Sequence, residues 1–278
     1  MTDTNNHYDA TAKFKTDGEP AQFPSGSTQA LQSFFTTNSK VALAFSGGTD
    51  SSLLLAFARN NGCDIKPYMI KSQFQPQFEL IDAHRLCRQL GVELTVIPVD
   101  ILAVPELKAN PANRCYLCKK RLFTQLIGQA RQDGYTVVID GTNASDDAGD
   151  RPGMAAIREL GVLSPLAECG ISKEQVRQMS RQIDLFTADK PAYACLATRI
   201  PTGQAYTNDL LERVEQAEGK LAELGFSDLR VRVLGDDTAR LQLPTPQLYM
   251  AIEKRTMILE ELGRLFSHVL LDLKSRGD

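Results

Sequence analysis

Ser46-Gly47-Gly48-Thr49-Asp50-Ser51 follows the apolar run Val41–Phe45 and leads into Leu53-Leu54-Leu55-Ala56-Phe57-Ala58. Strand, tight loop and helix start in that order aim several backbone N–H groups at one point, with the positive end of the helix behind them. Phosphate oxygens suit such a cradle, and Gly47 and Gly48 keep Cβ atoms out of their way. No lysine precedes Ser51 or Ser52, so this is not the Walker loop. Asp50 beside an anion is useful when Mg²⁺ bridges the two. An ordinary strand-to-helix turn is the plain alternative.

A second group is Asn110-Pro111-Ala112-Asn113-Arg114-Cys115-Tyr116-Leu117-Cys118-Lys119, a CxxC at a helix start. The helix end, Arg114 and Lys119 are expected to lower the thiol pKa values. A redox dithiol, a zinc site and an iron–sulfur cluster all use such a pair. Cys195 is the nearest further thiol of interest, on a segment expected to return to the same sheet edge, and none of His7, His84 and His268 has ligand spacing to the pair. Simple packing is the remaining alternative.

Gly141-Thr142-Asn143 and the acidic loop through Asp150-Arg151-Pro152-Gly153 follow a strand. They read either as a capped surface turn or as a place for nucleotide, metal and substrate. In the second case Asn143 meets base or ribose and Arg151 clamps a carboxylate or phosphate. Arg230 and Arg232 share one strand face, solvated or anion-binding. Glu215 and Glu218 share a helix side, as a solvated patch or a modest metal site.

The elements that must hold these groups alternate. Apolar runs at Val41–Phe45, Ile65–Ile70, Leu94–Val99 and Val137–Asp140 are separated by helical periodicity over Ser51–Asn60, Gln77–Leu90 and Lys119–Asp133. That order predicts an α/β fold, a parallel sheet covered on both faces, with ligands at the carboxyl ends of the strands. Ser172 with Gln175 predicts a capping box. Beyond Gly203 a helix at Asn208–Leu224, strands at Leu229–Leu234 and Ala239–Leu243, a helix around Leu248–Leu262 and a last strand at Val269–Leu273 suggest a small α+β unit. The expected division is a polar tail over 1–28, a main domain over 29–203 and a smaller one over 204–278.

Composition bounds the function. The 278 residues are 42% hydrophobic and 23% charged, which suits a globular protein, and six cysteines do not make a disulfide scaffold. Cys63, Cys87 and Cys169 read as packed thiols. A net charge of -3 makes nucleic acid an unexpected partner. With no apolar run long enough for a membrane span and no signal core, the expected location is the cytoplasm.

Taken together, these segments resemble the PP-loop pyrophosphatase superfamily, and within it the sulfur transferases called LarE, which act in making the nickel-pincer nucleotide cofactor of lactate racemase. Besides the loops above, the resemblance is carried by Ser164-Pro165-Leu166, Lys190-Pro191 and Cys195-Leu196-Ala197-Thr198-Arg199-Ile200-Pro201-Thr202-Gly203, and it runs from about residue 25 to 270. It implies an N-type ATP pyrophosphatase domain fused to a small sulfur-transfer domain. The implied reaction adenylates a carboxylate of pyridinium-3,5-biscarboxylic acid mononucleotide, releases pyrophosphate and delivers sulfur as a thiocarboxylate.

Cofactors implied are ATP, Mg²⁺ and, in one subgroup, a [4Fe-4S] cluster on three thiolates, matched here by Cys115, Cys118 and Cys195. Another subgroup sacrifices the sulfur of the cysteine matched by Cys195. ATP would meet Ser46, Gly47, Gly48, Asp50, Ser51 and Asn143, and Asp50 would hold Mg²⁺. Arg199 joins Cys195 and Asp50 as a catalytic residue and Arg151, Arg230 and Arg232 as a substrate-binding one, while Glu218 matches an acidic residue near a metal or phosphate. Partners implied are the pyridinium mononucleotide, a sulfide or other sulfur donor, and further copies of the chain in a homo-oligomer. Val233-Leu234-Gly235 stands where the family implies a basic or imidazole residue. A tRNA thiolase, an amidating ligase such as NAD synthetase and a non-catalytic metal-binding regulator are the rival readings.

Overall fold

The computed structural model describes residues 25–146 and 152–276. The acids from Asp147 to Asp150 and the candidate clamp Arg151 lie outside the described residues, as does His7.

Helix α1 (Ser25–Thr37) is the first element among the described residues, starting inside the stretch whose composition suggests a tail. Strands β1 (Lys40–Ala44), β2 (Asp64–Lys71), β3 (Thr95–Pro98) and β4 (Val137–Ile139) form one sheet in the order β3-β2-β1-β4, with every pairing parallel. The central strand β1 is buried through Val41, Ala42 and Leu43, as its unbroken apolar run requires. Helices α2 (Thr49–Asn60) and α3 (Gln77–Leu90) pack on one face of the sheet with α1 and α8 (Lys173–Gln182). The other face is covered by α5 (Arg114–Gln132) and α6 (Pro152–Glu159) through Leu126, Ile127, Ala130, Met154 and Ile157. Short helices α4 (Pro105–Lys108) and α7 (Pro165–Glu168) fill connections. The order 3-2-1-4 reverses direction beside β1, so the β1 and β4 loops open on the crevice where such sheets bind ligands.

After a 3₁₀ turn at Leu196–Arg199 come α9 (Asn208–Glu223), β5 (Arg230–Leu234), β6 (Thr238–Gln242), α10 (Thr245–Glu253), α11 (Arg255–Leu262) and β7 (His268–Leu271). β5 and β6 are antiparallel, and β7 joins β6 in parallel. The single helix expected around Leu248–Leu262 is two helices broken at Lys254, whose ammonium donates to Leu224 O at 2.6 Å. One apolar cluster runs from Phe74, Val99, Ile101 and Leu122 through Leu196 and Ile200 into Val214, Val231 and Leu241, tying the second sheet to the edge of the first. No described helix is long and apolar enough to cross a membrane.

Candidate active site

Gly47 has φ +69, a left-handed conformation that disfavours other residues, and a Cβ there would lie 3.0 Å from Glu79 O. Gly48 caps α2 without any side-chain acceptor. The first-turn N–H groups of Thr49, Asp50 and Ser51 have no partner within an α-helix and stay available to an anion. Ser51 Oγ ties the loop together, 3.1 Å from Ser46 Oγ and donating to Gly48 O at 3.2 Å. Thr49 Oγ1 donates to Thr187 O at 2.8 Å, fastening the loop to the segment after α8. From the other side Gly141 lets β4 approach closely, since a Cβ there would meet Ser51 N at 3.0 Å.

Asp50 accepts from Lys173 Nζ at 2.5 Å and from Asn143 Nδ2 at 3.2 Å. Lys173 is the first residue of α8, and Ser172 caps that helix in the expected box: Gln175 N donates to Ser172 Oγ at 3.3 Å, and Ser172 N to Gln175 Oε1 at 2.8 Å. Asn143 is buried and braces its own loop, donating to Asp146 Oδ2 at 2.9 Å and accepting from Ser145 N at 2.9 Å. It orients Asp50 and does not line the cavity described next.

That cavity, of about 570 Å³, is walled by Ser46, Gly48, Asp50 and Ser51, and also by Cys115, Cys118 and Cys195. Two elements bring the thiols there. Cys115 and Cys118 lie on the first turn and a half of α5, and Cys195 precedes the 3₁₀ turn, anchored by Leu196 N donating to Phe74 O at 2.9 Å. The expectation of an acidic thiol is overturned for Cys118. Burial pushes the Cys118 thiol up to about 12, helped by Cys195 and Cys115, and outweighs the opposing pull of Lys119 and Arg114. The Cys195 thiol is raised for the same first reason. Cys115 is exposed.

Arg199 is fully buried. Its Nε and Nη2 reach Glu218 Oε1 and Oε2 at 2.7 and 3.1 Å, and its Nη1 donates to Ala194 O at 2.8 Å. Glu218 also accepts from Tyr193 OH at 2.5 Å and Val231 N at 2.9 Å, so it is no solvated patch; Glu215 likewise accepts from Gln77 N at 2.5 Å. Arg230 donates to Ala192 O at 2.7 Å and Arg232 to Thr198 O at 2.6 Å. Burial, then Arg199 and Arg276, pulls the Arg230 guanidinium down to about 10. The ring of Tyr193 lies between Arg199 and Arg230, 4.6 and 4.9 Å from their guanidinium carbons. These three arginines and Glu218 therefore stand behind residues 192–199 and hold that segment, while Tyr193 and Cys195 reach the cavity wall.

Lys173, Lys190, Tyr193 and Glu79 were not singled out from sequence as site residues. Lys190 Nζ donates to Asp82 Oδ2 at 2.7 Å and Gly47 O at 3.3 Å, bridging α3 and the phosphate loop. The lysine directly after the Ser172 cap was the one available signal for Lys173.

The family model described as asparagine synthase matches residues 28–146, the stretch from α1 through the β4 loop. An uncharacterised protein of Synechocystis sp. is 37% identical over 253 residues, covering 88% of this chain and 92% of its own. The pyridinium-3,5-bisthiocarboxylic acid mononucleotide synthase of Lactiplantibacillus plantarum is 32% identical over 242 residues, 84% of this chain and 86% of that protein. The chain belongs to the LarE family. Like other LarE proteins it is an ATP-dependent sulfurtransferase of the PP-loop pyrophosphatase superfamily. The tRNA-specific 2-thiouridylase MnmA of Carboxydothermus hydrogenoformans is a more distant relative, 27% identical over 243 residues, 70% of this chain and 64% of its own.

A LarE cluster would need thiolate donors, and this chain supplies three on one cavity wall. Among the described residues no group of three or more His, Cys, Asp or Glu side chains is arranged to hold a metal ion. The donors thus fit in type and in the wall they share, without a preformed ligand geometry.

Proposed function

We propose that the protein adenylates a carboxylate of pyridinium-3,5-biscarboxylic acid mononucleotide and converts it to a thiocarboxylate for nickel-pincer nucleotide synthesis. One observation carries this reading: a single cavity is walled by the phosphate loop and by all three candidate sulfur residues. A sulfur nucleophile attacks a free carboxylate poorly, because the oxygen it must displace leaves badly. The substrate carboxylate therefore attacks the α-phosphorus of ATP, and pyrophosphate departs into the N–H groups of Thr49, Asp50 and Ser51. Lys173 adds positive charge there, and Asp50 is the carboxylate that would hold Mg²⁺. Cys115, Cys118 and Cys195 would hold a [4Fe-4S] cluster, which when bound supplies the sulfide that the activated carbonyl takes up. The division at residue 203 belongs to the same reading, with 29–203 the adenylating part and 204–278 the support of the sulfur segment.

The second reading, in which Cys195 gives up its own sulfur, is favoured by the absence of a preformed metal group among the described residues. Anaerobic purification, iron and sulfide counting, and mass spectrometry after turnover with ATP and the mononucleotide separate the two. Iron and sulfide bound to the wild type and lost in Cys115→Ser support the cluster, whereas loss of one sulfur from Cys195 overturns it. Asp50→Asn is expected to abolish pyrophosphate release with iron and sulfide content unchanged, and full activity in that variant would remove the ATP step.

A further inference from the structure

Four carboxylates line the cavity among the described residues: Asp50, Glu79, Asp140 and Asp146. Three of them hold donors. Asp50 has Lys173 and Asn143, Asp140 has Thr142 Oγ1 at 2.7 Å and Ser164 Oγ at 2.7 Å, and Asp146 has Asn143. Glu79 alone of the four has neither a hydrogen bond nor an ion pair among the described residues. No imidazole lines the cavity, since His84 and His268 are elsewhere.

Glu79 sits in the first turn of α3, where its backbone abuts Gly47. The neighbouring Phe78 ring packs edge-on against Tyr193 with centroids 4.9 Å apart, and Phe74 O holds Leu196 N. The start of α3 is thereby clamped between the phosphate loop and the sulfur segment, and Glu79 and Cys195 open on the same cavity. Facing its carboxyl are Lys71 from β2, Lys190 and Arg199 from the segment after α8, and Asp82 from its own helix. Burial is the largest influence and raises the carboxyl to about 7, so it changes charge in the range where a proton acceptor works.

We propose that Glu79 is the base that takes the S–H proton in the sulfur-transfer half-reaction. The proposal rests on the sulfurtransferase reading above. A sulfur nucleophile, thiol or hydrosulfide, brings one S–H proton to the acyl adenylate. The C–S bond forms, the C–O bond to AMP breaks, and AMP leaves with that electron pair. The S–H bond breaks onto a Glu79 carboxylate oxygen, before attack for a thiol or in the tetrahedral adduct for hydrosulfide. In that adduct, loss of the proton keeps the sulfur from leaving again and AMP departs instead. No electron changes hands, and the proton passes on to water. Adenylation, by contrast, moves no proton.

The test separates the two half-reactions in the full-length protein, with ATP, the pyridinium biscarboxylate mononucleotide and sodium sulfide under anaerobic conditions. In Glu79→Gln, thiocarboxylate formation is expected to fall about 100-fold while ATP-dependent pyrophosphate release persists. The wild-type rate of transfer should rise through pH 7 to a plateau, and that rise should vanish in the variant. Added acetate should restore part of the transfer to Glu79→Ala, which a fold defect would not allow. Equal transfer in wild type and Glu79→Gln, or a parallel fall in both half-reactions without acetate rescue, overturns the proposal. A wild type that releases no pyrophosphate overturns the parent reading, and this one with it.

Discussion

Lys173 Nζ lies 2.5 Å from Asp50 Oδ2, so the carboxylate of the phosphate loop is bonded to the first residue of α8. Both side chains are partly exposed to the cavity, which lets the ammonium turn to an anion as readily as to Asp50. Lys173→Met is expected to slow pyrophosphate release about 100-fold while the capping box keeps α8 in place. Stopped-flow measurement of pyrophosphate, with circular dichroism as control, checks this; an unchanged rate would leave Lys173 a purely structural partner.

Arg199 and Glu218 make a bidentate pair with almost no exposure. Removing one partner leaves the other charged and buried, which costs about 3–5 kcal/mol. Glu218→Gln should therefore shift the urea midpoint sharply. Because Tyr193 and Val231 use different oxygens of Glu218, of which Gln keeps one, it should also loosen one of the two. A midpoint within error of the wild type would contradict the engagement of Glu218 described above.

Gly47→Ala combines a left-handed backbone with a Cβ placed 3.0 Å from Glu79 O. The conformation alone costs about 1–2 kcal/mol, and relief would move the loop away from α3. Isothermal titration with ATP should show binding weakened well beyond the loss in thermal stability. Wild-type affinity would mean that the loop tolerates the shift.

The pH dependence of stability tests Glu79 independently of turnover. Its carboxyl titrates at about 7 when folded, against an ordinary 4.5. Between those values the folded protein keeps a proton that the unfolded chain has released, so this group's contribution to stability falls as pH rises through about 7. Glu79→Gln removes the loss. Its melting temperature should match the wild type below the lower value, exceed it increasingly across the window and level off above the upper one. A difference that stays flat with pH would place the carboxyl in water.

The strands of the parallel sheet were readable because each is a short apolar run between helices, and the structure keeps their bounds to within a residue or two. The phosphate loop and the Ser172 cap are equally local: a few adjacent residues decide both. What escaped is what the chain brings together over long separations. Glu218 looked like half of an acidic surface because its partners, Tyr193, Arg199 and Val231, come from elsewhere in sequence. The Cys118 thiol looked acidic because the cations beside it are visible in the sequence, whereas the burial that outweighs those cations is not. The continuous apolar pattern of Leu248–Leu262 concealed the break at Lys254, which is set by its bond to the end of α9.

Tyr193 is gripped by two guanidiniums and a carboxylate whose backbones belong to the 3₁₀ turn, α9 and β5. The three-stranded sheet thus helps to mount residues 192–199, Cys195 among them. A chain cut after Gly203 would keep the phosphate loop and the bond from Leu196 N to Phe74 O, but Tyr193, two residues before Cys195, would lose the grip of Glu218 and Arg230.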